Sequence, residues 1–228
     1  MIICHKHRFV FVKTRKTAST SVEVLLSQYC GDADVLTPIN PPIAPHIPRN
    51  YQGPWNPLPD LLYFRGRYGL EILRAFRNGL RFHNHMPAGR IRRHVDPEIW
   101  NGYFKFCVER NPWDKTVSHY YFGRRRSRGR ITFDEYMRRE RFCVDWDCYT
   151  DMAGKLIVDR VIKYENLEQD LKDVLAGLGI QSTGTLDVRA KSNHRQDRVP
   201  YQRLFSNVQR LQIQKAFRRE IALLEYTF

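Results

Sequence analysis

Apolar residues recur along this chain in two rhythms, one of period two and one near 3.6, and they alternate from the first third to the end. The run "RFVFVK", Arg8–Lys13, is apolar and β-branched at its centre and predicts a strand. Ser19–Gln28 follows as a helix with Val22, Leu25 and Leu26 on one face. "YFKFCVE", Tyr103–Glu109, predicts a second strand and Arg160–Tyr164 a third. Pro112 opens a helix through "WDKTVSHYYF", at the position where a missing N–H costs nothing. Asn166–Leu178 carries Leu167, Leu171, Val174 and Leu178 on one face and stops at Gly179. From Ser206 onward, Ile213, Phe217, Ile221 and Leu224 form the apolar face of a C-terminal helix. A short helix is expected over Ala88–Val95, and Thr132 with Glu135 forms a capping box for another. Strands alternating with helices predict an α/β fold: a parallel sheet covered on both faces.

Three stretches break the rhythm. Thr37–Pro59 is proline-rich, and proline fixes φ and removes donors, so extended irregular chain is expected there. Leu61–Leu80 has helical content interrupted by Gly66 and Gly69, and "GRRRSRGR" reads as a basic loop. There is no internal repeat, and 228 residues suit a single domain, 1–228, in which 37–83 is the irregular part.

Charge changes the picture more than composition does. An apolar content of 42% supports a core, whereas a formal charge of +14 calls for an anionic partner: a nucleotide, a polyanionic sugar, nucleic acid or a membrane surface. Five scattered cysteines do not make a disulfide framework, which favours a reducing compartment. "MIICHKHRFVFV" lacks the features of a secretory signal, and no apolar run is long enough to span a membrane.

Two segments carry chemistry. "KTRKTASTS", Lys13–Ser21, lies between a strand and a helix start, where free N–H groups and the helix dipole favour an anion. Lys16 adds charge, and Thr17, Ser19, Thr20 and Ser21 add hydroxyls. The pattern G-x-x-x-x-G-K-[ST] is absent, so the loop suits one phosphate better than a wrapped triphosphate. The plain alternative is an ordinary capped turn. The second segment, "ERNPWDKTVSHYY", follows a strand, where parallel sheets place ligands. Arg110 can fork a phosphate, and Ser118 lies about two helical turns on; alternatively Arg110 pairs with a carboxylate. Together they describe a ligand with two separate phosphates.

"FVFVKTRKTASTSVE" resembles the 5′-phosphosulfate loop of sulfotransferases that use 3′-phosphoadenylyl sulfate (PAPS), and "FKFCVERNPWDKTVSHYY" resembles their 3′-phosphate motif. The similarity is to the Golgi carbohydrate sulfotransferases and compact bacterial relatives. It extends over "HNHMPAGRIRRHVDPEIWNGYFKF", "VIKYENLEQDLKDVLAGLGI" and Lys191–Arg195. It implies a P-loop-like, three-layer α/β/α fold around a central parallel sheet. By the same resemblance Lys16 binds the 5′-phosphate and stabilises the leaving group. Thr17, Ala18, Ser19, Thr20 and Ser21 donate to the phosphosulfate, Arg110 and Ser118 hold the 3′-phosphate, and Lys191 and Arg195 close over the nucleotide.

Acceptor-side expectations are less specific. Transfer to a hydroxyl needs a base, and histidine suits neutral pH. "HNH" offers His85, directly before "MPA", with His83 in reserve; the alternatives are a structural histidine or a metal pair lacking a third ligand. The family usually has proline or a similar residue before the loop lysine, where this chain has Arg15; Arg15 and His83 are placed with the acceptor. The segment 37–83 varies most from the family and is expected to shape the acceptor pocket. Asp145, Asp147 and Asp151 read as a solvated loop, and Arg124–Arg126 with Arg128 and Arg130 as a solvated basic face. Tyr51, Trp55 and Trp100 read as core residues before a sugar platform.

The resemblance thus implies sulfuryl transfer from PAPS to a hydroxyl acceptor, of saccharide or glycoconjugate class, with no required metal and no specific nucleic acid. The rivals are a P-loop nucleotide kinase and a non-enzymatic polyanion binder. A bacterial chain would be cytoplasmic; a lumenal Golgi domain would have lost its anchor.

Overall fold

The strands place successive side chains into two different cores, and this alternation explains the layers. In the computed structural model, which describes residues 1–64, 68–127, 129–181 and 199–228, five strands form one sheet: β1 (Ile2–Cys4), β2 (Phe9–Val12), β3 (Val35–Leu36), β4 (Phe104–Glu109) and β5 (Arg160–Lys163). Their order is β3-β1-β2-β4-β5. β2, β4 and β5 pair in parallel, while β1 runs against both β2 and β3. Four strands therefore share one direction, and the fold is a mixed α/β sheet with a mostly parallel body.

Ile2, Cys4, Phe9, Phe11, Phe106, Val108 and Ile162 point to one face. There they meet α1 (Ser19–Ser27), through Val22, Leu25 and Leu26, and α9 (Leu167–Gly177), through Leu167, Leu171 and Val174. Ile3, Val10, Val12 and Cys107 point to the other face, against Ala88 and Ile91 of α4 (Ala88–His94), Trp100 of α5 (Pro97–Gly102), and Cys148 and Tyr149 of α8 (Trp146–Tyr149). A third cluster joins α6 (Pro112–Arg126), α7 (Phe133–Arg138), α10 (Asn207–Ala216) and α11 (Arg218–Leu224) through Trp113, Tyr136, Ile213 and Phe217. Period-two alternation on a sheet covered from both sides gives this three-layer division.

Several expectations need correcting. β1 and β3 escape sequence reading because three and two residues are too short to show a rhythm. Gly69 does not interrupt a helix but begins one: α2 (Leu58–Tyr63) is followed by α3 (Gly69–Arg77). α2 also starts inside the proline-rich segment, with proline in its first turn. Arg124–Arg126 belong to the last turn of α6, where cations complement the helix dipole, and not to a loop. The C-terminal helix is two helices, broken at Phe217. Thr132 and Glu135 do form the capping box. Trp100 is in the core, while Tyr51 and Trp55 are half-buried. Among the described residues no helix is long and apolar enough to cross a membrane.

Glu220 on α11 is 1% exposed, and neither carboxylate oxygen has a hydrogen-bond partner in another of the described residues. Burial pushes its pKa from 4.5 up to about 7. Because the folded pKa is raised, the folded state holds this proton more tightly, and stability falls as pH rises from about 4.5 through about 7. Glu220→Gln is expected to raise the Tm at pH 8 and to gain less at pH 5. Equal gains at both pH values in thermal unfolding would contradict this.

Candidate functional site

β2 and β4 lie side by side and parallel, and the chain leaves them in opposite directions, toward β3 and toward β5. The crevice beyond their carboxyl ends is where an open α/β sheet accommodates a ligand. The segment from Lys13 to Ala18 turns there from β2 into α1. It contains no glycine, yet Lys16 (φ 62°) and Ala18 (φ 55°) both adopt the left-handed conformation. The amide N–H groups of Thr17, Ala18, Ser19 and Thr20 donate to no acceptor among the described residues. They form a nest of donors at the N-terminus of α1, suited to an anion.

The loop hydroxyls divide into two groups. Thr14 donates to the carbonyl of Val108 on β4 and shares a 2.9 Å contact with Thr17 Oγ1. Ser19 Oγ donates to the Thr14 carbonyl at 2.6 Å. Thr17, Ser19 and Ser21 are buried, whereas Lys16, Ala18 and Thr20 are half-buried. The hydroxyls of Thr17 and Ser19 are thus spent on holding the loop, so these two residues offer a ligand their backbone rather than their side chains.

Arg110 stands at the end of β4 and reaches across: its Nη1 donates to the carbonyl of Lys16 at 3.3 Å. Its Nε and Nη2 grip Asp114 at 2.8 and 2.6 Å, and the guanidinium lies 4.2 Å from the Tyr164 ring centroid. Pairing with a carboxylate was the alternative raised by the sequence, and it occurs; it also aims the remaining edge of the fork at the loop. Ser118 sits one turn beyond Asp114 on α6, half-buried, with its hydroxyl in no hydrogen bond among the described residues. No hydrogen bond joins it to Arg110. Lys16 Nζ lies 4.3 Å from the ring centroid of Phe122, one turn further along α6. Lys191 and Arg195 lie outside the described residues.

The two histidines separate clearly. His83 Nδ1 donates to the Asn84 carbonyl, and its Nε2 accepts from Arg90 Nη1 at 2.9 Å, so both ring nitrogens are occupied. His85, left-handed at φ 59°, donates from Nδ1 to the Lys13 carbonyl at 3.0 Å. A carbonyl can only accept, so the proton is on Nδ1 and the lone pair on Nε2. Burial and then the Lys13 ammonium push the His85 pKa down to about 4, so the ring is neutral at pH 7.

Two buried charge networks brace these parts. Lys13 Nζ binds Glu23 Oε2 at 2.5 Å and Asn84 Oδ1 at 3.2 Å. Behind the loop, Lys115 binds Glu109 at 2.6 Å and Asp145 at 3.0 Å, all three fully buried. Asp145 in turn accepts from the backbone N–H of Arg15 at 2.7 Å and from its Nε at 2.6 Å. Burial works against ionising Asp145, but Lys115 and Arg15 outweigh it and hold its carboxyl below the ordinary range. Asp145 is therefore not part of a solvated loop, and Arg15 anchors the loop through it while its side chain stays about half exposed. Glu23, Asn84 and Asp145 were not singled out as site residues by sequence reasoning. A signal existed for Glu23, the one charged residue of α1, set among Val22, Val24, Leu25 and Leu26.

Among the described residues, Cys4, Cys30 and Asp34 bring metal-ligand atoms within 4.8 Å of one another, at the opposite end of β1 from the loop. Asp34 there accepts from the N–H groups of His5 and Gly31 and from the Cys4 thiol, which clasps the β1–β2 turn to the end of α1.

The sulfotransferase family model matches residues 1–227. An uncharacterised protein of Archaeoglobus fulgidus is 38% identical over 109 residues, 46% of this chain and 89% of that protein. The crystal structure of a sulfotransferase from Alicyclobacillus acidocaldarius aligns with 97% of this chain and 96% of its own, at 18% identity and a TM-score of 0.44. The family match takes in both the hydroxyl-rich loop and the Arg110–Ser118 segment. The chain belongs to the sulfotransferase family, and its chemistry is the transfer of a sulfuryl group.

Proposed function

We propose that the sulfuryl donor is PAPS and that the acceptor is a hydroxyl on a saccharide or glycoconjugate. One observation carries the donor assignment: Arg110 touches the carbonyl of Lys16, so the loop amides and the α6 segment border one site. A ligand with two phosphates, one carrying sulfate, matches that pair of features. The unpartnered amides from Thr17 to Thr20 fit a 5′-phosphosulfate, and Arg110 with Ser118 fits a 3′-phosphate. By resemblance, Lys191 and Arg195 join the nucleotide side.

PAPS supplies an activated sulfuryl group, and adenosine 3′,5′-bisphosphate is the product. The residues of this chain do the rest. His85 Nε2, with its lone pair available, takes the acceptor proton as the oxygen bonds to sulfur. Lys16 and the loop amides stabilise the charge that collects on the departing phosphate. The left-handed turns at Lys16 and Ala18 fix those amides in advance, so little reorganisation is needed. His83 holds α3 and α4 together through Glu71 and Arg90, and supports the acceptor side without acting as the base.

In calorimetry, adenosine 3′,5′-bisphosphate is expected to bind with 1:1 stoichiometry. Arg110→Ala should weaken it roughly 10- to 100-fold, the range for losing a charge-assisted fork. Absence of binding, or a preference for ATP, would end the PAPS assignment.

His85→Ala should retain nucleotide binding and lose roughly 10²- to 10⁴-fold in transfer rate. Because burial and Lys13 hold His85 near a pKa of about 4, the base form persists well into acid. The acid limb of kcat/KM is therefore expected well below the ordinary histidine value of roughly 6.5. A limb at that ordinary value, or full turnover by His85→Ala, would remove His85 from the role.

A further inference from the structure

Among the described residues twelve large apolar side chains are exposed, and seven of them fall between Ile47 and Phe76. That clustering, in a chain of 228 residues, is not the scatter expected of isolated surface apolar groups. Most of the cluster lies on α2 and α3. Leu58 and Leu62 share a face of α2, and Leu62 is 77% exposed. On α3, Ile72 and Ala75 turn inward and are buried, while Leu70 (83% exposed), Leu73 and Phe76 turn outward. Spacings of three and six residues place these outward side chains along one flank of the short helix.

Cations border this flank. Arg74 and Arg77 are exposed on α3, four and seven residues after Leu70, and Arg92 is exposed on α4. The carboxylates of the same region are drawn the other way. Asp60 is buried against Arg90, Arg93 and His94. Glu71, half-exposed, has Oε1 bound to Arg90 and close to His83. The outer surface thus combines leucine and phenylalanine with arginine: Arg74 lies within the field of Glu71, while Arg77 and Arg92 enter no ion pair among the described residues.

We propose that this face of α2 and α3 docks the protein on an anionic membrane surface. Apolar side chains enter the headgroup–acyl boundary, and the arginines meet anionic headgroups beside it. A second copy of the chain is a poorer occupant, because a two-fold contact over this face brings Arg74 and Arg77 toward the same cations. The net charge of +14 adds long-range attraction to an anionic surface. Docking is independent of the sulfuryl-transfer reading. Its consequence rests on that reading: α3 contacts His83, two residues from His85, so acceptor hydroxyls would be met close to a membrane.

The test is co-sedimentation of the full chain with vesicles of phosphatidylcholine, with and without phosphatidylglycerol. The protein is expected to partition onto the anionic vesicles, and less so at high salt. Leu70→Ser/Leu73→Ser/Phe76→Ser should lower the partition coefficient about tenfold or more. Arg74→Gln/Arg77→Gln should lower it on anionic vesicles only. Both variants should keep the Tm and the nucleotide affinity of the parent chain. Failure of the parent chain to bind anionic vesicles would overturn the proposal, as would variants that partition unchanged. A parent chain that ignores vesicles but is dimeric in gel filtration, with monomeric apolar variants, would assign the face to self-association instead.

Discussion

Everything at the candidate site depends on a loop that turns left-handed twice in three residues without a glycine. Each such residue is disfavoured by roughly 1–3 kcal/mol and persists only where its surroundings over-determine it. Here Lys16 and Ala18 are held from several sides. Thr14 is tied to β4 and Ser19 back to Thr14. The Arg15 amide is fixed to Asp145, and the Lys13 carbonyl to His85, itself left-handed. Glycine would reach these angles freely but would also leave them freely. A hydroxyl-rich loop braced by its neighbours keeps its amides pointed at one place, which is what a site that stabilises developing negative charge needs.

The braces are buried ion pairs, and they constrain the protein in a particular way. Glu109, Lys115 and Asp145 are fully buried, with Arg15 as the outer partner, so two carboxylates face two cations. Such groups gain little net stability over apolar replacements, yet removing one partner strands the others at about 3–5 kcal/mol. The same holds for Lys13 and Glu23. These networks therefore act mainly by fixing geometry. They couple the β2–α1 loop to α6 and α8, elements far apart in sequence, and bring Arg110 against Lys16.

Legibility in the sequence followed the range of the interactions. β2, α1, β4, α6 and α9 were readable because their apolar spacing is local, and so was the capping box of α7. β1 and β3 were not, since a two- or three-residue strand exists only through its partners. The loop was recognisable as a hydroxyl-rich strand-to-helix turn, but the division of its hydroxyls was not. Thr17 and Ser19 look like ligand donors until the hydroxyl and the carbonyl of Thr14, itself tied to Val108, are seen to occupy them. Asp145 looked solvated because Arg15, its partner, is 130 positions away. His85 and His83 could not be ranked by chemistry from the sequence alone, and Arg90, donating to His83 Nε2, separates them.

The central claim is that one bound nucleotide spans the Lys16–Ser21 loop and the Arg110–Ser118 segment. A crystal structure with adenosine 3′,5′-bisphosphate tests it most directly. The account predicts the 5′-phosphate within hydrogen-bond distance of the amides from Thr17 to Thr20, the 3′-phosphate on Arg110 and Ser118, and Lys16 and Ala18 still left-handed. A nucleotide bound elsewhere, or a loop that refolds to receive it, would contradict the account.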